Sequence, residues 1–233
     1  MSDEDFDVAM LATYLHLTPA QVEKMAGRGK LPGRRIGGEW RFSRIEIHHW
    51  FEERIGLSDQ FELEQVEKVL DTNQRATEDS IEQLVQPHAV WSPLPARTRN
   101  SVIQQICQHS ADAGLLWDAT KMEKAIKARE NLHPTALGNG VAMLHPRRPQ
   151  VNNIAHAFVG LGITSTGLPF GGPRGVMTDV FFLIASENEK GHLHTLARLS
   201  RIIAVPDFLA QLRECNDSQE AHRLLLETNQ TLE

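Results

Sequence analysis

The run Lys127-Ala-Arg-Glu-Asn-Leu-His-Pro-Thr-Ala-Leu-Gly-Asn-Gly-Val-Ala-Met-Leu-His-Pro-Arg-Arg148 contains the switch from helix to strand on which the fold of this chain turns. Its first residues close a helical segment. Gly138-Asn139-Gly140 reads as a turn, because glycine and asparagine tolerate positive φ. Val141 to Leu144 is a short apolar strand. His145 emerges at the strand's end and Pro146 stops it. A histidine presented at a strand end beside a glycine turn is placed to act as a nucleophile, since neutral imidazole keeps a lone pair on one nitrogen.

Working outward, helical periodicity fits 99–113, 120–129, 191–203, 204–215 and a last stretch near 218–228, and apolar strands fit 141–144, 155–162 and 180–185. This is the pattern of an α/β domain, expected over 89–230. Before it, 87–97 carries three prolines and breaks any helix. Residues 57–88 are polar and acidic, with Leu63, Val66, Val69 and Leu70 at helical spacing, and are expected to be a helical or flexible linker.

Residues 1–56 read as a separate, mostly helical unit. Val8 to Leu15 has helical spacing. Thr18 is an N-cap and Pro19 stands at the first helical position, where its missing N–H costs nothing. Gly27-Arg-Gly29 ends that second helix. Arg34-Arg-Ile36 and Trp40-Arg-Phe42 flank Gly37-Gly38, a hairpin signal. Ser43 then caps a helix over 44–54, which Gly56 closes. Two short helices, a hairpin wing and a closing helix form a winged helix-turn-helix outline.

The net charge is −6, yet from Lys24 to Arg44 there are seven basic residues and one acid, a local balance of 7 − 1 = +6. A compact basic island favours a polyanionic partner for that segment. Cys107 and Cys215 have neither metal-type nor redox-type spacing. Of the eleven histidines, His48-His49 and His192-x-His194 come nearest to a metal pair, and neither has the carboxylate partners of a convincing site, so no metal and no cofactor is expected. No apolar stretch approaches the ~20 residues of a membrane span, and Met1-Ser-Asp-Glu-Asp-Phe-Asp is too acidic for a targeting signal. A cytoplasmic chain is the expectation.

Two resemblances add to this. Arg129-Glu130, Thr135, Gly138-Asn139-Gly140, Ala142 and His145, with Gly191-His-Leu-His-Thr-Leu196 downstream and Leu168-Pro-Phe-Gly … Asp179-Val-Phe-Phe-Leu-Ile184 between, resemble the EIIA component of the phosphoenolpyruvate-dependent phosphotransferase system, of the mannitol/fructose/nitrogen-regulatory class. The resemblance spans roughly 85–230 and implies a mixed sheet flanked by helices. It implies that His145 accepts a phosphoryl group from the phosphohistidine of an HPr- or NPr-type carrier. His192 would donate a hydrogen bond to the phosphoryl oxygens and Arg129 would supply positive charge. Thr135, Gly138, Asn139 and Gly140 would form the loop around the phosphoryl group. The chain departs from the family at His133-Pro134, at Ala136, and at Leu144, where the family has proline. Pro146-Arg-Arg-Pro149 is more basic than usual, which bears on donor preference.

Leu11 to Trp50, with its Gly-x-Leu-Pro-x-x-x-x-Gly-x-x-Trp-Arg-Phe pattern, resembles the excisionase-like branch of the MerR DNA-binding group. That implies Gln21, Lys24 and Arg28 facing a major groove and Arg34, Arg35 and Arg41 on phosphates. Trp40 and Phe42 would pack the wing onto the helices, and dimerisation through 57–75 would add affinity.

Together these point to a regulatory phosphotransferase with a phosphohistidine intermediate. Its state would be coupled to DNA or to a partner such as an EIIB or regulatory protein. With no transport domain or EIIB segment recognised, regulation fits better than sugar uptake. The alternatives are an EIIA-like module that only binds, tethered to DNA, or an EIIA for carbohydrate uptake.

Overall fold

The computed structural model describes residues 5–15, 17–43, 46–47, 50 and 80–232. The chain divides into two compact units, Met1–Gln74 and Arg75–Glu233.

The first unit runs β1 (Asp5–Phe6), α1 (Val8–Tyr14), α2 (Pro19–Gly27), β2 (Arg34–Ile36) and β3 (Glu39–Ser43). Asp7 caps α1 by accepting from the Met10 amide at 2.7 Å. Thr18 and Gln21 form a capping box at the start of α2. Gly37 and Gly38, at φ 63° and 88°, make the two-residue turn that joins β2 to β3. β1, absent from the sequence reading, pairs antiparallel with the other side of β3, giving the order β1-β3-β2. Two residues are too short to show an alternation. Phe6, Leu11, Val22, Leu31, Phe42 and Ile47 are buried and form the core of the unit. Glu46, Ile47 and Trp50 are helical, as expected of the closing helix. The rest of that helix, His48-His49 and the linker and dimerisation readings over 57–79 lie outside the described residues.

The second unit comprises α3 (Ile81–Leu84), β4 (Val90–Trp91), α4 (Arg99–Asp112), α5 (Ala119–Leu132), β5 (Val141–Leu144), β6 (Phe158–Leu168), β7 (Thr178–Ala185), α6 (Glu189–Ala204), α7 (Phe208–Glu214) and α8 (Ser218–Gln230). Its sheet has the order β4-β6-β7-β5. β4 runs parallel to β6, β6 antiparallel to β7, and β7 parallel to β5. β4 escapes a sequence reading because its two residues lie among prolines. β6 extends to Leu168, past the expected 155–162, because its polar second half, Thr164 to Gly167, breaks the apolar run that marks the first.

Strand parity sorts the buried residues onto two faces. Ala142 and Leu144 of β5, Phe181, Leu183 and Ala185 of β7, and Phe158 of β6 pack in one cluster with Val102, Ile103 and Ile106 of α4 and Met122 and Ile126 of α5. Gly162 permits this approach, since a Cβ there would lie 2.9 Å from Leu94 Cδ2 and 3.1 Å from Ile106 Cδ1. The residues of opposite parity, Val141, Met143, Val180, Phe182 and Ile184, are also buried, and α6 packs against β7. With both faces covered, β5 and β7 read as continuous apolar runs.

Candidate functional site

His145 follows β5 and keeps the parity of Val141 and Met143, so it belongs to the face covered by α6. There it meets His192, with ring centroids 4.7 Å apart and planes inclined at 52°. Both are buried, His145 at 2% and His192 at 6% exposure. The Nδ1 of His145 lies 2.9 Å from the carbonyl of Met143. A carbonyl only accepts, so Nδ1 carries the proton and the lone pair of the neutral ring falls on Nε2. His192 lies in the first turn of α6, whose N-cap Asn188 accepts from the Gly191 amide at 2.8 Å. The N-terminus of a helix this long carries partial positive charge and suits an anion.

The open edge of β5 is lined by the segment that follows α5. Leu137 donates to the Val141 carbonyl at 2.7 Å and Met143 to the Thr135 carbonyl at 3.4 Å, around a bridge between Ala136 and Ala142. Carried two residues further, this register sets His133 level with His145. The Nη1 of buried Arg129 donates to the His133 carbonyl at 2.7 Å, which draws its guanidinium to that end of β5. Glu130, the next residue, is 1% exposed. It accepts from the Thr135 amide at 3.2 Å, from the Thr135 hydroxyl, and from Arg99 Nη2 at 3.1 Å. Thr135 is thereby committed to a buried carboxylate. Glu130 and Arg99 went unassigned in the sequence. Glu130 had a signal, its place beside Arg129, whereas Arg99 stands 31 positions from the carboxylate that it meets.

The structure corrects one expectation. Gly138, Asn139 and Gly140 precede β5 and His145 follows it, so a whole strand, roughly 13 Å at ~3.3 Å per residue, separates the turn from the acceptor. The turn is held by other groups. Arg213 forks onto Asp179 at 2.8 and 2.9 Å and donates to the Asn139 carbonyl at 2.9 Å. Gly140 has φ 86°, and a Cβ on it would lie 2.6 Å from Arg213 Nη2. These residues set the entry to β5.

In the first unit, Lys24 and Arg28 are exposed on and just after α2. Gln21 is committed to the capping box, its Oε1 accepting from the Thr18 amide at 2.8 Å and hydroxyl at 2.9 Å, which leaves only its NH₂ for a groove. The wing arginines are partly offset. Arg34 pairs with Asp5 at 2.9 Å, Arg41 with Glu39 at 2.8 Å, and the Arg35 guanidinium lies 5.1 Å from the Trp40 ring centre. An open groove of about 780 Å³ between α1, α2 and the hairpin is lined by Lys24, Arg35 and Arg41, but also by Asp7, Glu23 and Glu39. Phe42 packs inward, and Trp40 stacks on it at 6.1 Å.

Comparison with known proteins places both units. Residues 83–228 match the family described as phosphoenolpyruvate-dependent sugar phosphotransferase system, EIIA 2, and residues 6–55 match a helix-turn-helix domain. A nitrogen regulatory protein of Bradyrhizobium diazoefficiens is 28% identical over 147 residues, which are 62% of this chain and 94% of that protein. The nitrogen regulatory protein IIA-Ntr of Neisseria meningitidis has the same fold, with TM-score 0.54 and 19% identity over 61% of this chain and 96% of that one. Enzyme IIA for mannitol of Escherichia coli, solved in complex with its phosphorylated enzyme IIB, superposes with TM-score 0.55 and 18% identity over 62% of this chain and 99% of that one. No helix among the described residues is long and apolar enough to cross a membrane.

Proposed function

The chain belongs to the phosphoenolpyruvate-dependent sugar phosphotransferase system EIIA 2 family, and from that premise we propose that it is a regulatory phosphocarrier with His145 as its acceptor. The observation that carries this reading is the buried pair of His145 and His192, with Nδ1 of His145 turned to a backbone carbonyl. In the transfer, the Nε2 lone pair attacks the phosphorus of a phosphohistidine on an HPr-type carrier. The new P–N bond forms as the carrier's P–N bond breaks, and the carrier's imidazole keeps the electron pair. The proton stays on Nδ1, which donates it in a hydrogen bond to the Met143 carbonyl throughout. His192, the positive guanidinium of Arg129 and the N-terminus of α6 offset the charge of the incoming group. Thr135 acts through Glu130 on the segment beside the acceptor. The phosphoryl group then passes to an EIIB-type or regulatory protein.

The direct test is incubation with phosphoenolpyruvate, enzyme I and an HPr-type carrier. Acid-labile phosphate on the wild type, absent in His145→Ala, is expected. A folded wild type that takes no label would overturn the assignment.

For the first unit, its match to a helix-turn-helix domain supports DNA contact, with Lys24 and Arg28 presented by α2 and the wing arginines on phosphates. Since Arg34 and Arg41 are paired with acids, their contribution to binding is reduced. DNA affinity measured against salt should fall steeply for the wild type and have a shallower slope in Lys24→Ala/Arg28→Ala. Equal slopes would remove the DNA assignment.

A further inference from the structure

We propose that the loop from Pro146 to Val151, together with Trp117, is a docking lip for a phosphoryl-donor protein whose surface beside its own phosphohistidine is acidic. This rests on the phosphocarrier reading of His145 and names the chemistry of its partner.

Arg147 and Arg148 stand two and three residues past the buried acceptor and both are exposed. Among the described residues, neither guanidinium enters a hydrogen bond or ion pair. Arg129, Arg198 and Arg213 of the same unit are engaged, with His133, Asn229 and Asp179 respectively. Pro146 and Pro149 bracket the two arginines and restrict the backbone on either side. Gln150 Nε2 donates to the Arg148 carbonyl at 3.3 Å and closes the loop. The prolines restrict the loop's backbone, and among the described residues its two cations have no acidic partner.

The lip also has an apolar part. Trp117 is 67% exposed and Val151 53%. The Trp117 amide donates to the Asn153 carbonyl at 3.1 Å, which ties the Trp117 backbone to the segment that continues the arginine loop. Tryptophan and arginine dominate the energetics of protein interfaces, and a large aromatic left in water marks a contact surface.

The basic character is local. Residues 75–233 carry fifteen Lys and Arg against sixteen Asp and Glu, 15 − 16 = −1. The positive loop after the edge strand attracts a partner that carries an acidic patch.

The test uses the full chain and an HPr-type carrier, phosphorylated through enzyme I, in two forms. One has two residues flanking its active histidine changed to Asp, the other has the same two changed to Lys. At low salt, kcat/KM for transfer to the wild type should be about tenfold higher from the Asp form, and the gap should shrink to about twofold near 0.5 M salt, where charges on exposed groups are screened. Arg147→Glu/Arg148→Glu should reverse the order, and Arg147→Lys/Arg148→Lys should keep it. Trp117→Ala should raise KM for both carriers several-fold and leave kcat in place. Equal transfer from both carriers, or an order unmoved by the Arg-to-Glu variant, would overturn the docking lip. Labelling by phosphoramidate, which needs no protein donor, separates the two readings. A folded wild type without label there brings down the acceptor and the lip together, whereas normal labelling without charge preference brings down the lip alone.

Discussion

The two ends of β5 carry the two halves of one sequence motif and are built by opposite means. At the exit, His145 and His192 are buried against each other, His145 Nδ1 is turned to the Met143 carbonyl, and the enclosed carboxylate of Glu130 holds Thr135 of the neighbouring segment. At the entry, Gly138 and Asn139 are exposed and the turn is tied down by the ion pair of Arg213 and Asp179. The glycines set where the strand begins, and the strand's length and parity then deliver the histidine to the face of α6. One half of the motif is chemistry and the other is the backbone geometry that positions it.

This contrast can be broken in order of effect. His145→Ala should abolish acid-labile labelling, a loss of at least ~1,000-fold expected when a nucleophile is removed. Circular dichroism and thermal unfolding should show the fold retained. Gly140→Ala should do the reverse. It forces a side chain into positive φ and against Arg213, at a cost of about 3 kcal/mol, while the folded fraction still takes phosphate from phosphoramidate. Cys107 offers a second readout of that opening. It is fully buried, and burial, with the charge of Glu123 adding to it, pushes its thiol up to about 12. Alkylation at neutral pH therefore requires the unit to open, and it should speed up in Gly140→Ala and stay slow in His145→Ala. Thr135→Val removes one donor from the buried Glu130 carboxylate and should cost about 2 kcal/mol. A several-fold slower transfer should accompany it, because the segment beside the acceptor loosens. Arg213→Met is the mildest. Its partly exposed pair with Asp179 is worth about 1 kcal/mol, and urea unfolding should shift accordingly with labelling unchanged. If Arg213→Met slowed labelling as much as Thr135→Val, the division of labour between the two ends would be wrong.

The two units differ in how far they could be read in advance. The capped helices and hairpin of the first were legible because each is specified within a few residues: Thr18 with Pro19 and Gln21, and Gly37 with Gly38. What escaped there was pairing at a distance, namely β1 on β3, and the acids that meet the wing arginines. In the second unit, the long helices and the apolar strands β5 and β7 were legible from periodicity. The two-residue β4 and the polar end of β6 were not, since their place in the sheet depends on their neighbours.

For the site, the sequence alone determined the chemistry of its groups: an imidazole at a strand end, a second at a helix start, and an arginine before a glycine turn. Spacing and residue type carry that information, because they act locally. Tertiary structure alone decided which of these groups meet. Strand parity and the packing of α6 on β7 bring His192, 47 residues downstream, onto His145. The register of 135–137 along β5 brings Arg129 to the same end, and the length of the same strand carries the glycine turn away from it. Proximity across a sheet is a property of the packed chain, so the loop expected around the phosphoryl group became the strand's anchor, and Glu130 and Arg99 emerged as the groups that hold the segment beside the acceptor.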